Sequence, residues 1–370
     1  MGARLAAAVR REPVLVLSAV CALASMALNP PSAAYLGYVD VRVLVLLFCL
    51  MAVVAGLQGC GVFAVLAQRL LRGERSLPLL SLVLVLLPFF SAMLVTNDVA
   101  LITFVPFAVL VLSLIGRQER LAYVVVLQTL AANLGSMATP VGNPQNLYLY
   151  GRYSLSAADF FSTMLPLTLA SLVGLAAASL LVRRETIRVS FPEAARLRRP
   201  GCAAAMGGLF VLCLLCVFHV IGHWVLLGIV VLALLALDRS LFRRVDYALL
   251  LTFVCFFLFA GNLGASPALR QAITGVLERN TALTAGAASQ VISNVPAALL
   301  LSGFTQDWRG LLLGTNLGGL GTPVASLASL ISLRLYLKSP GARAGRYLGL
   351  FTLANVIALA ALCLCAWLLG

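Results

Sequence analysis

Apolar runs, uninterrupted by regular polar positions, dominate the chain. Clear runs lie near residues 13–29, 43–68, 161–182, 203–219, 224–237, 246–262 and 347–369. Most of them approach or exceed the ~20 apolar residues that a helix needs to cross a bilayer. Four other apolar stretches are broken by polar or helix-ending residues. Thr96-Asn97-Asp98 divides 77–95 from 98–115, and Thr139-Pro140-Val141-Gly142-Asn143-Pro144 interrupts 121–150. Ser293-Asn294-Val295-Pro296 interrupts 281–304, and Gly318-Gly319-Leu320-Gly321-Thr322-Pro323 interrupts 309–337. The pattern predicts an all-α polytopic membrane protein with about nine full spans, two re-entrant hairpins (77–115 and 281–304) and two broken helices (121–150 and 309–337).

Composition agrees with that reading. Hydrophobic residues make up 62% of 370 and charged residues only 10%, against about a quarter charged in a water-soluble domain. The net charge of +14 comes almost wholly from arginine, Lys338 being the one lysine. In a soluble protein such a balance suggests nucleic acid; in a membrane protein it first records topology, and no nucleic-acid partner is expected. With the N-terminus cytoplasmic and both hairpins re-entrant, the inside segments hold 21 positive residues. Arg42, Arg152, Arg270, Arg279 and Arg309, five in all, fall outside. This asymmetry places the chain in the cell (inner) membrane with its C-terminus outside. Two full spans at 77–115 satisfy the charge count equally well. The basic, then apolar N-terminus has the look of a signal peptide, but many spans follow, so a retained first span is expected.

The halves repeat. Residues 133–141, Asn-Leu-Gly-Ser-Met-Ala-Thr-Pro-Val, match residues 316–324, Asn-Leu-Gly-Gly-Leu-Gly-Thr-Pro-Val, at six of nine positions with a constant offset of 183. Asn97 pairs with Asn294 at an offset of 197, and Ala55-Gly56 with Ala260-Gly261 at 205. The charge count gives the two copies opposite orientations. The expected division is a first repeat at 1–182, a cytoplasmic linker and extra span at 183–223, and an inverted second repeat at 224–370. Inverted repeats with corresponding broken helices mark secondary transporters.

Candidate chemistry gathers at the interruptions, where irregular backbone at membrane depth needs protein or a water-filled cavity around it. Asn97 and Asn294 can offer a carbonyl oxygen to a cation, such as Na+, or amide hydrogens to an anion, and the hydroxyls of Thr96, Thr139, Ser293 and Thr322 can do either. Gly135, Gly142, Gly318, Gly319 and Gly321 permit close backbone approach, and Pro140, Pro144, Pro296 and Pro323 end helices. Asn143 joins the set. A lone Gly-Thr-Pro kink ordinarily serves packing, but a duplicated set with Asn at each tip points to binding. Asp98 is the one acidic residue expected deep in the membrane, where an ionisable group is a functional candidate by default. It has two compatible roles: carrying a coupling proton or Na+, and capping the second hairpin arm. Gln145, Asn146 and Gln290 either line the cavity or bridge helices.

Other chemistry recedes. Cys213 and Cys216 have zinc-ligand spacing with no second pair to complete a site. His219 and His223 are spaced to share a helical face, without a carboxylate nearby. No phosphate-binding loop precedes Lys338. No cofactor or enzymatic activity is expected: an intramembrane enzyme needs a cluster of catalytic groups at depth, and a passive channel has no use for opposed hairpins.

At these motifs the chain resembles the ion transporter superfamily of arsenite permeases, D-type sodium–proton antiporters, citrate permeases and divalent-anion–sodium symporters. It is most similar to citrate-transporter-like bacterial anion permeases. The resemblance covers nearly the whole chain and is specific for the superfamily, less so for substrate. It implies a scaffold domain, a mobile transport domain, elevator-type alternating access, a homodimer, and site roles at Asn97, Asn294, Thr139-Pro140 and Thr322-Pro323. The dicarboxylate symporters carry Ser-Asn-Thr at both tips, whereas this chain has Thr96-Asn97-Asp98 and Ser293-Asn294-Val295. Asp98 repels a carboxylate set against it, which speaks against Na+–dicarboxylate symport. The function expected is transport of a small anion, oxyanion or carboxylate coupled to Na+ or H+. The rival reading is Na+/H+ antiport through Asp98.

Overall fold

The computed structural model describes residues 12–71, 73–181, 185–189, 191 and 194–368. Arg4, Arg10, Arg11, Arg72, Arg183 and Arg184 of the charge count, and the expected boundary at 182–183, lie outside them. The architecture is helical. In chain order the helices are α1 (Pro13–Ser25), the single turn α2 (Tyr35–Tyr38), α3 (Val41–Gly59), α4 (Val62–Leu71), α5 (Leu77–Ala92), α6 (Asn97–Leu114), α7 (Leu121–Ser136), α8 (Pro144–Arg152) and α9 (Ala157–Leu180). Then follow α10 (Pro200–Val217), α11 (His223–Leu237), α12 (Tyr247–Ala265), α13 (Pro267–Arg279), α14 (Thr281–Ile292), α15 (Asn294–Leu301), α16 (Trp308–Leu317), α17 (Leu327–Leu337) and α18 (Ala344–Leu368).

Six of these, α3, α6, α9, α10, α12 and α18, are long and apolar enough to cross a membrane. At 1.5 Å per residue the 12 and 8 residues of α14 and α15 reach roughly 18 and 12 Å, well short of the ~30 Å hydrocarbon core. The arms of the first hairpin, α5 and α6, are longer, at 16 and 18 residues. Among the described residues the one set of strands is a small ribbon in which β1 (Gly73–Ser76) pairs antiparallel with β2 (Thr186–Val189). Hydropathy does not mark it, because both strands are short and lie in the polar segments that flank α5 and α9.

Packing explains why the apolar pattern is continuous rather than amphipathic. The broken helices form the interior: every residue of α7 except Tyr123 is buried, as is α8 from Pro144 to Tyr150. The second half of each broken helix crosses to the other copy's hairpin. Thus α17 packs on α6 and α7, while α8 packs on α15 and α16. Outside this centre, α10 and α11 pack on α3, and α1 on α12. The cysteines behave as small hydrophobes within this packing: all nine are free thiols, with Cys49, Cys60, Cys213 and Cys216 buried. His219 and His223 do not share a helical face. His219 sits in the turn after α10 at φ 65° and stacks on Tyr150, while His223 opens α11 beside Trp224.

Candidate functional site

Each hairpin tip is tied to a broken helix by the same pair of bonds. The N–H of Asn97 donates to the carbonyl of Gly142 at 3.2 Å, and that of Asn294 to the carbonyl of Ala325 at 3.0 Å. Gly142 and Ala325 are 183 apart, as are the matched motifs. The hydroxyl of Thr139 donates to the carbonyl of Met93, and that of Thr322 to the carbonyl of Gln290 at 3.2 Å. Both threonines therefore spend their proton clasping a hairpin arm and keep only acceptor capacity for a ligand.

The matched glycines serve close approach. A Cβ on Gly135 would stand 2.7 Å from the carbonyl carbon of Phe89 on α5, and one on Gly318 would stand 2.8 Å from the Cα of Gly286 on α14. Phe89 and Gly286 are themselves equivalent, at the hairpin offset of 197. Gly321, at φ +108°, leaves room for the Gln290 carboxamide. Gln290 bridges rather than lines: its Nε2 donates to Gly318 and Leu320 and its Oε1 accepts from Thr322.

At the centre two asparagines join the halves. Asn133, near the end of α7, accepts from Ser326 at 3.0 Å and donates to Ser329 at 3.4 Å. Asn316, near the end of α16, accepts from Asn143 at 3.2 Å and donates to Asn146 at 2.7 Å. Ser326 and Ser329 are the counterparts of Asn143 and Asn146, so each asparagine binds the opening turn of the opposite copy's second half-helix. Asn97 Nδ2 donates to Asn133 at 3.0 Å, and the backbone of Ala325 beside Ser326 holds Asn294. A polar chain thus runs from one tip to the other. In the sequence Asn133 and Asn316 stand only as part of the repeat, and Ser326 and Ser329 lie beyond the matched motif. The exact match of Asn133 and Asn316 within an apolar setting was the available signal.

The tips differ. Thr96 is extended at φ −63°, ψ 152°, but Ser293 sits at φ 72°, ψ 155°, a region that only glycine enters freely. A non-glycine residue held there costs of order 1–3 kcal/mol and persists only where its surroundings impose it. The tip amide oxygens are already engaged: Asn97 Oδ1 accepts from the N–H of Asp98 and Asn294 Oδ1 from that of Val295, each at 3.0 Å.

The expectation that Asp98 caps α6 fails. It occupies the second position of α6, where the N–H of Ala100 donates to the carbonyl of Thr96 and not to the Asp98 carboxylate, and Asn97 supplies the side-chain oxygen that accepts from the N–H of Asp98. Its Oδ1 is buried without a hydrogen-bond partner. Asp98 borders a 430 Å³ cavity together with Thr96, Val141, Pro144, Arg244 and Asp246. That cavity takes in both interruptions of the first copy but not Ser293, Asn294, Gly318, Gly321, Thr322 or Pro323, so the four interruptions do not all border it. They meet through the packed chain of Asn133 and Asn316 instead. A cationic group also borders Asp98's cavity: Arg244, whose guanidinium lies over Gly59 at the end of α3, where a helix C-terminus favours positive charge. Gln145 is buried with its Oε1 unpartnered, and Asn146 links α8 to α16. Among the described residues no three His, Cys, Asp or Glu side chains cluster to hold a metal ion.

A helical, polytopic interior with doubled helix breaks and paired tips defines a membrane transporter. The citrate transporter family model matches residues 4–306, and the chain belongs to that family. The match includes both hairpins and ends before α16. An uncharacterised transporter of Methanocaldococcus jannaschii is 32% identical over 77% of this chain and 79% of its own length. The inner membrane protein YbiR of Escherichia coli is 32% identical over 80% of each. A silicon efflux transporter of Oryza sativa subsp. japonica is 35% identical over 36% of this chain and 27% of its own.

Proposed function

We propose that the protein is a secondary active transporter of a small anion, an inorganic oxyanion or carboxylate, coupled to Na+ or H+. The observation that carries this is the duplicated clasp: two tip asparagines held by Gly142 and Ala325, with the half-helices crossing between copies through Asn133 and Asn316. Two like halves wedged against each other suit two mirror-related states, as alternating access requires. In this reading the halves are inverted, with the N-terminus cytoplasmic and the C-terminus outside in the inner membrane. The α5–α9 and α14–α18 region moves as an elevator against α3, α10, α11 and α12, within a homodimer. The family's description and the name of the rice relative support a carboxylate or small oxyacid. The helix ends and tip amides supply neutral donors for it.

The unpartnered carboxylate oxygen of Asp98 favours a second reading, Na+/H+ antiport, since that group can exchange a proton for a cation in its cavity. Proteoliposome uptake separates the two. The panel is citrate, succinate, sulfate, phosphate, arsenite and Na+, with pH and Na+ gradients varied independently. Saturable anion uptake driven by a gradient supports the first reading. Proton-coupled Na+ flux with no anion dependence, lost in Asp98→Asn, overturns it in favour of the second.

A further inference from the structure

A second cavity, of 520 Å³, lies between the segment that leads into α3 and the C-terminal part of α12, whereas the Asp98 cavity borders the later part of α3 and the start of α12; Tyr38, Asp40, Tyr148, Arg152, Gly261 and Arg270 are among its lining. It is the repeat-related mate of the first. Asp40 caps α3 through the N–H of Val43 as Asp246 caps α12 through that of Leu249, and Leu299 lies where Ile102 lies in the other. Tyr148 occupies the place of Ile331. The architecture is duplicated but the chemistry is not. One cavity has Asp98 and Asp246 against Arg244; the other has Arg152 and Arg270 against Asp40. Leu335 is the counterpart of Arg152 and Val295 that of Asp98.

We infer that Arg152 and Arg270 form an anion-capture subsite in this second cavity, taking a small carboxylate or inorganic oxyanion. The inference rests on the anion-transport reading. Among the described residues, neither arginine has a carboxylate within ion-pairing distance. Arg152 stands beside the Tyr148 hydroxyl, which is fixed by Ser302 at 2.7 Å, so one wall of the cavity is a held donor–acceptor group. Helix α13 begins between two lining residues, Ala265 and Arg270, and Ser266 leaves its opening turn without a side-chain cap. Its first N–H groups and dipole therefore add positive potential at the same edge. Asp40 caps α3 through one carboxylate oxygen, and the two arginines outnumber its charge in the lining. An anion is thus drawn in where Arg152 and Arg270 lie, and a cation or proton is favoured at the Asp98 end. The two mouths of one symmetric scaffold are electrostatically unlike, which gives the carrier a preferred loading side.

The test uses the full-length protein in nanodiscs of phosphatidylcholine alone and of phosphatidylcholine with phosphatidylglycerol, titrated with succinate, citrate and sulfate. Binding is read by calorimetry and by the shift in thermal unfolding. Arg152→Gln and Arg270→Gln should each weaken binding about tenfold, the worth of one charge-assisted contact. Arg152→Lys should restore part of it, and Arg309→Gln, outside both cavities, should bind as the unsubstituted protein does. Added phosphatidylglycerol should leave the affinity unchanged. Anion binding equal in all variants overturns the subsite and leaves the transport reading standing. Stabilisation by phosphatidylglycerol alone, lost in the Gln variants, assigns the arginines to lipid headgroups and also overturns it. If the unsubstituted protein neither binds nor transports any of these anions, the anion-transport reading falls and takes the subsite with it.

Discussion

Replacing Gly135 by alanine should loosen the helix break without removing any polar side chain. The added Cβ would meet the Phe89 carbonyl carbon at 2.7 Å and its Cα at 2.9 Å, where ordinary contact begins at 3.4 Å. The Phe89 carbonyl oxygen lies closer still, and the obstacle is backbone, so α7 and α5 must separate by more than roughly 0.7 Å or strain, a displacement close packing resists. Overpacking of this kind costs about 1–3 kcal/mol. Gly174→Ala on α9 is the control, since a Cβ there has nothing within 4 Å; reduced unfolded-chain freedom alone should stabilise it by about 0.4–1 kcal/mol. The two variants should therefore differ by about 1.4–4 kcal/mol. Gly318→Ala should behave as Gly135→Ala, because it faces Gly286 and Ser289 across the equivalent interface. Reversible unfolding in mixed micelles, followed by tryptophan fluorescence, measures the difference. If Gly135→Ala and Gly318→Ala prove as stable as Gly174→Ala, close approach is not what these glycines supply.

Three further outcomes are expected. Ser293→Gly should be more stable than Ser293→Ala by about 1 kcal/mol or more, because only glycine relieves the positive φ; equal unfolding midpoints would refute strain at that tip. Asn133→Ala and Ser326→Ala should couple by roughly 0.5–3 kcal/mol in a double-mutant cycle, while Asn133→Ala with the remote Tyr35→Phe should be additive; additivity in both cycles would remove the cross-copy bond from the site. In a cysteine-free background, cysteines at positions 97 and 294 should label from both membrane faces as gradients are varied, and labelling of position 97 from outside alone would make α5 and α6 full spans.

The helix breaks were legible in the sequence because Asn, Gly, Thr and Pro are scarce in apolar runs and recur at a fixed offset. So were the tips, although Thr139 and Thr322 turn out to clasp hairpin arms with the very hydroxyls offered as ligand groups. The exchange of half-helices was not legible. Ser326 and Ser329 carry no signal until α17 is seen against α7, since a serine in an apolar helix ordinarily bonds its own backbone. The roles of Arg152 and Arg270 were hidden for a different reason. Counted along the chain they record topology, and only the fold places them in the mate of the Asp98 cavity. Asp98 itself stood out on cost alone, but a capping role could be set aside only once the Ala100 N–H was seen to bond the Thr96 carbonyl and the Asp98 carboxylate to lack a partner on its buried oxygen.

Counterflow tests the carrier claim most directly. Proteoliposomes loaded with millimolar unlabelled citrate, succinate or sulfate are diluted into the same anion at trace radioactive concentration, with no ion gradient imposed. A carrier that exposes its site alternately to each side should accumulate label transiently above equilibrium for at least one of these anions, and Arg152→Gln should lower the initial rate. Label that rises monotonically to equilibrium, or never enters, for every anion would contradict alternating access to a small anion.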